Sequence, residues 1–250
     1  MNLNVSKTIL KEIQSFRNLF LHENKFQFIY NKCHDYNWAD TYLFTMDQTK
    51  IGYGSVWGKD KREDRDTIFE FYLIESFRKF ASAVFPKFIE ASNVSFIECQ
   101  SNDLLLSTML YEHARNINAE AILFEDHYLT DFKIDGATFK RQKAEDDLNF
   151  DPNEYILEVN GEPVATGGFV RNYNFPYIDM FMEVKEEHRG KGYGVFVVQE
   201  LKKEAYLKGR VPAARCNINN KASKATLLKA GLKVCGCILV GEIKKLQVEI

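Results

Sequence analysis

Long apolar runs are absent from this 250-residue chain. No stretch approaches the roughly 18 consecutive apolar residues that a membrane-spanning helix needs, so an integral helical membrane protein is excluded. The first residues, Met1 to Lys7, lack the basic start and apolar centre of a signal peptide, and the expected location is cytoplasmic. Excess charge of one sign is absent too: 33 Lys and Arg oppose 35 Asp and Glu, a net charge of −2. Broad attraction to nucleic acid or to an anionic membrane is therefore not expected. Cysteine is sparse and odd in number, with five residues at 33, 99, 216, 235 and 237. The pair Cys235-Gly236-Cys237 is spaced too closely for a zinc knuckle, and an odd count cannot pair fully. Free thiols in a reducing compartment are the expected state. The five histidines (22, 34, 113, 127 and 188) show no metal-ligand spacing and form no Ser–His–Asp arrangement. No metal is expected, and His188 reads as loop surface.

What remains is the composition of a soluble globular protein, 45% hydrophobic and 27% charged. Apolar residues at three- and four-residue steps, Ile9, Ile13, Phe16 and Phe20, predict an amphipathic helix between Ser6 and about Phe28. Thr41–Met46 and Ile51–Trp57 read as a hairpin. The charged stretch from Lys59 to Asp66 reads as solvated surface. A strand at Ile68–Ile74, a helix through Phe77, Phe80, Val84 and Phe88, and a strand at Val94–Cys99 follow. A helix at Asp103–Asn116 and a strand at Ala121–Phe124 complete the first half.

From Ala137 a similar order begins again. A strand to Gln142 and a short acidic linker precede Tyr155–Val159 and Pro163–Val170, joined by Asn160-Gly161, the strongest hairpin signal in the chain. Tyr177–Val184 is a strand, residues 192–208 a helix, and Ala213–Ile218 a strand. Lys221–Ala230 is a helix closed by Gly231, and Leu232–Ile243 a long strand. Recurrence of hairpin, strand, helix, strand, helix, strand implies a duplicated α/β unit. The boundary falls near Asp131 to Asp135, dividing the chain into residues 1–135 and 136–250.

Between the strand at Tyr177–Val184 and the helix after it lies Arg189-Gly190-Lys191-Gly192-Tyr193-Gly194. Alternating glycines let the backbone turn several N–H groups into one concavity. The helix start adds unpaired amides and the positive end of its dipole. A strand, a glycine turn and a helix N-terminus together suit a bound phosphate or pyrophosphate. The first half has no such turn where Glu75-Ser76-Phe77-Arg78 joins strand to helix, so only the second half is expected to hold a pyrophosphate.

With the segment from Cys216 through Asn220 and Ser223 to Lys229-Ala230-Gly231-Leu232, this turn resembles the GNAT superfamily of acyl-CoA-dependent N-acyltransferases. The resemblance covers about residues 137–248. It implies an α/β (α+β) fold with a mixed central sheet flanked by helices, here as two tandem GNAT-like halves. The first would be a degenerate domain without a pyrophosphate loop, the second the acetyl-CoA-binding catalytic domain. By the same resemblance the amides of Arg189, Gly190, Lys191, Gly192, Tyr193 and Gly194 hold the CoA pyrophosphate. The backbone around Glu183 and Val184 pairs with the pantetheine arm, Asn220 contacts that arm, and Ser223 supports it. Asn220 is also a good helix N-cap, and both roles can hold together.

The implied reaction is direct transfer of an acetyl group from acetyl-CoA, as co-substrate, to an amine of a small molecule. A base must take the ammonium proton before attack. Family bases often come from the strand before the turn, which makes Glu183 and Asp179 the catalytic candidates. With a period of two they share a face with Tyr177 and Phe181. Two departures stand out. Where many relatives place a tyrosine that protonates the thiolate, this chain has Leu227; Tyr193, in the glycine turn, is too far along the cofactor, which leaves Tyr173 and Tyr177 as the candidate substitutes. The two helices that usually wall the acceptor site have no room between Gln142 and Tyr155. The first half would then supply the wall, with Trp38, Trp57 and Tyr72 as candidates to line a cleft, although each taken singly reads as a core residue. The expected partners are CoA and a small amine, without nucleic acid or membrane, and a homodimer is an admissible assembly. A non-catalytic acyl-CoA-sensing module and a protein N-acetyltransferase are the alternatives.

Overall fold

The computed structural model describes residues 2–24, 26–27, 31–142, 155–170 and 174–244. It divides into two compact units, residues Met1–Glu120 with Cys237–Ile250, and residues Ala121–Gly236. The expected cut between residues 135 and 136 falls inside the second unit, and the last strand of the chain belongs largely to the first.

The first unit opens with β1 (Leu3–Thr8), α1 (Leu10–Glu23), a short α2 (Asn31–Asp35), β2 (Ala39–Met46), β3 (Thr49–Trp57) and β4 (Thr67–Leu73). A 3₁₀ turn at Glu75–Phe80 then runs into α3 (Ala81–Ser92), followed by β5 (Phe96–Gln100), α4 (Leu104–His113) and β6 (Ala114–Asp126). The expected helix from Ser6 therefore starts later. Leu3 and Val5 alternate with polar residues, and the segment pairs antiparallel with β2 from Leu3↔Met46 to Thr8↔Thr41. The helix expected at Asp103–Asn116 likewise ends at His113, because Ala114 onward is extended. The strands lie in the order β1-β2-β3-β4-β5, with residues 237–243 of β12 (Leu232–Ile243) at the end. Pairs are antiparallel except β4 with β5.

Alternation along these strands supplies two faces. Phe44 and Phe71 pack with Val84, Phe85 and Phe88 of α3. Leu43, Tyr53 and Tyr72 face Ile13, Phe16 and Phe20, the apolar stripe of α1. Trp57 and Tyr72 are buried in this unit, as each taken singly was expected to be. The Tyr72 hydroxyl donates to Glu23 at 2.6 Å. The segment 59–66 is not wholly solvated: the Arg62 guanidinium lies 4.4 Å from the Trp57 ring centroid and 5.2 Å from that of Trp38.

The second unit contains residues 121–126 of β6, then β7 (Ala137–Arg141), β8 (Tyr155–Val159), β9 (Glu162–Val170) and β10 (Tyr177–Val184). A 3₁₀ turn at Glu186–His188 leads to α5 (Tyr193–Leu207), β11 (Val211–Asn217) and α6 (Lys221–Lys229). Its strand order is β6-β11-β10-β9-β8-β7, again with one parallel pair, β10 with β11. Val197, Val198, Leu201 and Ala205 of α5 cover Val164, Phe169, Ile178 and Met180 of the sheet. The acidic linker expected after Gln142, and Tyr173, lie outside the described residues.

Candidate active site

Strands β10 and β11 begin as neighbours and then part. Their parallel register runs from Tyr177↔Val211 to Met180↔Ala214 and stops there. Beyond it, Phe181–Val184 pair only with β9, and Arg215–Asn217 pair only with β6. Backbone groups on the inner edges of both strands therefore face a wedge, where an extended ligand can add as a strand.

At the mouth of the wedge lies the glycine turn. His188 N–H donates to Lys185 O at 2.9 Å and Arg189 N–H to Glu186 O at 3.2 Å, closing the 3₁₀ turn. Gly192 then adopts φ +86°, a left-handed conformation that a side chain would strain. The first backbone bond into α5 runs from Phe196 N–H to Gly192 O, leaving the amides of Tyr193, Gly194 and Val195 outside the helical ladder. No side chain caps this end. The result is a row of donors at the positive end of a helix, suited to an anion.

A cleft of about 470 Å³ joins the wedge to the turn. Glu183, Val184, Arg189, Gly190, Gly192, Tyr193, Gly194, Asn220 and Ser223 all line it. Of the other two expected site residues, Lys191 is exposed beside the turn, and Asp179 is not part of the lining. Asp179 is buried on β10 with its carboxylate 3.5 Å from Arg215 Nε, whereas Glu183 is solvent-exposed at the end of the same strand. The Arg189 Nε donates to Val184 O at 3.2 Å, which ties the turn back to the strand that feeds it.

On the opposite wall, Asn220 caps α6: its Oδ1 accepts from Ser223 N–H at 2.9 Å. Ser223 and Thr226 follow at one-turn spacing and both line the cleft. Burial pushes the Cys216 thiol up in pKa, offset in part by a hydrogen bond with Ser223. Leu227 faces the other way, buried among the apolar residues of the unit.

Several lining residues escaped the sequence reading. His188, expected on the surface, is only 8% exposed. Its Nε2 lies 3.2 Å from Glu162 Oε1, and its ring stands 6.2 Å from that of Tyr193. Met182, Thr226 and Lys229 also line the cleft. Thr226 had a signal, its three-residue spacing from Ser223; His188 had none, because Glu162 is 26 residues away.

The comparisons with known proteins agree across the chain. Residues 9–127 match the model of an acetyltransferase (GNAT) domain, and residues 116–232 match that of the acetyltransferase (GNAT) family. No curated protein matches the sequence. Among solved structures, a GNAT-family acetyltransferase from Colwellia psychrerythraea is similar over 98% of this chain and 100% of its own, with a TM-score of 0.74 at 13% identity. A GCN5-related N-acetyltransferase from Sphaerobacter thermophilus is similar over 97% and 96%, with a TM-score of 0.62 at 10% identity. A tandem GNAT protein from the clavulanic acid biosynthesis pathway is similar over 98% and 99%, with a TM-score of 0.59 at 10% identity. At these identities the likeness is one of fold.

Proposed function

Since this chain belongs to the GNAT acetyltransferase family and is an acyltransferase, we propose that it moves an acetyl group from acetyl-CoA to the amine of a small molecule, using the cleft of its second unit. The observation that carries this reading is the parting of β10 and β11 directly before the uncapped start of α5. A pantetheine arm is an extended chain with amide groups, which suits the wedge. The pyrophosphate beyond it suits the amides of the glycine turn.

In this reading the thioester lies between the end of β10 and the start of α6. Glu183 takes the proton from the incoming ammonium, directly or through water. Asp179 is the second candidate base, but it is buried 3.5 Å from Arg215 Nε and does not line the cleft. The tetrahedral oxyanion and departing thiolate would be met by amides at the wedge edge and by the Ser223 and Thr226 hydroxyls, fixed donors in a partly enclosed site. Leu227 offers no proton and is turned into the core, which is the observation favouring the second reading, an acyl-CoA-binding module without turnover.

Thiol release from acetyl-CoA in the presence of a panel of small amines, amino acids and peptides separates these readings. Amine-dependent release with small amines supports the proposal. Release only with peptides moves the assignment to a protein N-acetyltransferase, and CoA binding without any release moves it to a sensor.

A further inference from the structure

We propose that Phe132 is the binding residue for the adenine ring of the donor, so that the loop after β6 and the glycine turn together form a subsite for the 3′-phospho-ADP end of CoA. This rests on the CoA reading above.

The loop that carries Phe132 is held against α5 by two buried side chains. Lys202, fully buried, places its ammonium 2.7 Å from Asp126 Oδ1 and donates to the carbonyls of Tyr128 at 2.5 Å, Ala230 at 3.1 Å and Gly231 at 3.2 Å. One turn nearer the start of the helix, Gln199 takes up the next residues. Its Oε1 accepts from Thr130 Oγ1 at 2.8 Å and from Phe132 N–H at 2.6 Å, and its Nε2 donates to Phe132 O at 3.0 Å. The loop therefore climbs α5 towards the anion turn, and the backbone of Phe132 is clamped on both sides by a single amide.

That clamp delivers the ring to Gly192. A Cβ built on Gly192 would stand 3.0 Å from Phe132 Cζ and 3.1 Å from Cε1, so the ring meets the turn edge-on. The ring is 43% exposed, and among the described residues no aromatic ring or cation stacks on it. An apolar ring recruited only for packing would be better hidden, since exposing it forgoes the free energy of burial. Lys191, beside Gly192, is exposed in the turn, and Lys133, beside Phe132, is exposed with its ammonium 3.5 Å from Asp131 Oδ2. An exposed aromatic ring set against a turn whose amides are free to meet a phosphate matches a purine nucleotide, because any base offers a π-face to stack. A donor whose phosphopantetheine is carried on a protein would leave this face unused.

The test measures binding of CoA and of 4′-phosphopantetheine by calorimetry to the full chain and to three variants. Phe132→Ala is expected to weaken CoA about tenfold, which is about 1.4 kcal/mol, and to leave 4′-phosphopantetheine unchanged. Phe132→Leu, which keeps an apolar contact with Gly192 but has no flat face, is expected to lose as much, and Phe132→Tyr to retain wild-type affinity. Unaltered CoA binding in Phe132→Leu overturns the proposal, as does an equal loss for both ligands in Phe132→Ala, which would mark a displaced turn. Failure of the wild-type chain to bind CoA at all would instead overturn the reading of the cleft on which the subsite rests.

Discussion

Arg78 and Arg189 hold the same station in their respective units. Each donates through Nε, at 3.2 Å, to the carbonyl of the residue five positions earlier, Leu73 at the end of β4 and Val184 at the end of β10. Aligned on these arginines without a gap, the glycine turn 190–194 falls on Lys79-Phe80-Ala81-Ser82-Ala83. There the backbone takes a different course: Ala81 is right-handed helical, at φ −53° and ψ −49°, where Gly192 is left-handed. The Arg78 guanidinium also bonds the carboxylate of Glu23. One unit thus leaves amides outside its helical ladder at a left-handed glycine, while the other continues as helix and ties its arginine to Glu23 as well.

One CoA should therefore bind per chain. Gly192→Glu should abolish that binding, since it puts a Cβ against the Phe132 ring, strains the turn and sets a carboxylate where phosphate belongs. Calorimetric stoichiometry checks both statements, and a second equivalent of bound CoA would refute the first.

Glu183→Gln should lower kcat for acetyl transfer on the order of 10²-fold or more while nearly preserving CoA affinity, the range expected for loss of a positioned base. Glu183 lines the cleft and is solvent-exposed, so the substitution should leave thermal stability unchanged. Steady-state rates with a saturating amine decide it: unchanged turnover removes Glu183 as base.

Lys202→Met should destabilise the chain by about 3 kcal/mol, because it leaves the Tyr128 and Ala230 carbonyls without their ammonium donor and takes the counter-charge from Asp126, which keeps only the Tyr206 hydroxyl. Gly231→Ala should be comparably severe. Gly231 is at φ +81°, and a Cβ there would lie 2.2 Å from Tyr128 O. Urea unfolding of both variants is the measurement, and a loss below about 1 kcal/mol in either would contradict the packing described.

Asp103, the N-cap of α4, accepts from Leu106 N–H at 3.0 Å, yet burial raises its pKa from 3.8 to about 7. A value raised in the folded state means that the fold favours the neutral acid. Its contribution is complete below about pH 4 and is lost as pH rises through 7. Wild type compared with Asp103→Asn should therefore lose stability across pH 4 to 7 at up to about 1.4 kcal/mol per pH unit. Glu70 acts in the opposite sense in a lower window. Despite its burial, Arg17 and His34 hold its pKa down to about 2, so its contribution is lost only as pH falls below about 4.5. Parallel pH–stability curves for wild type and Asp103→Asn would show that Asp103 does not titrate in this window.

A fragment of residues 136–250 should not fold. It lacks residues 121–125 of β6, which pair with β11 from Ala121↔Asn217 to Glu125↔Ala213, and it carries a stretch of β12 whose partner, β5, has been removed. Dispersed amide resonances from the fragment would contradict this.

Most elements were legible because their local patterns agree with their tertiary surroundings. The Asn160-Gly161 hairpin, β10 and β12 lie where their residues put them, since alternation and turn chemistry are local. Errors came where a distant partner decides. Leu3–Thr8 became a strand because β2 was available to pair. His188 became buried because Glu162 and Tyr193 enclose it. Phe132 lay in what read as a plain boundary segment and gained its place only through Gln199.

By itself the sequence determined most of the element order, the repeated unit and the glycine turn, and named the residues expected around a CoA thioester. Each of these is written in spacings of a few residues. Tertiary structure alone decided how the strands are distributed, with residues 121–126 serving the second unit and 237–243 the first. It also separated Glu183, at the cleft, from Asp179, at an ion pair, though the two share a strand face. Strand pairing and burial depend on contacts between residues tens to more than a hundred positions apart, and no local pattern encodes which partner will be there.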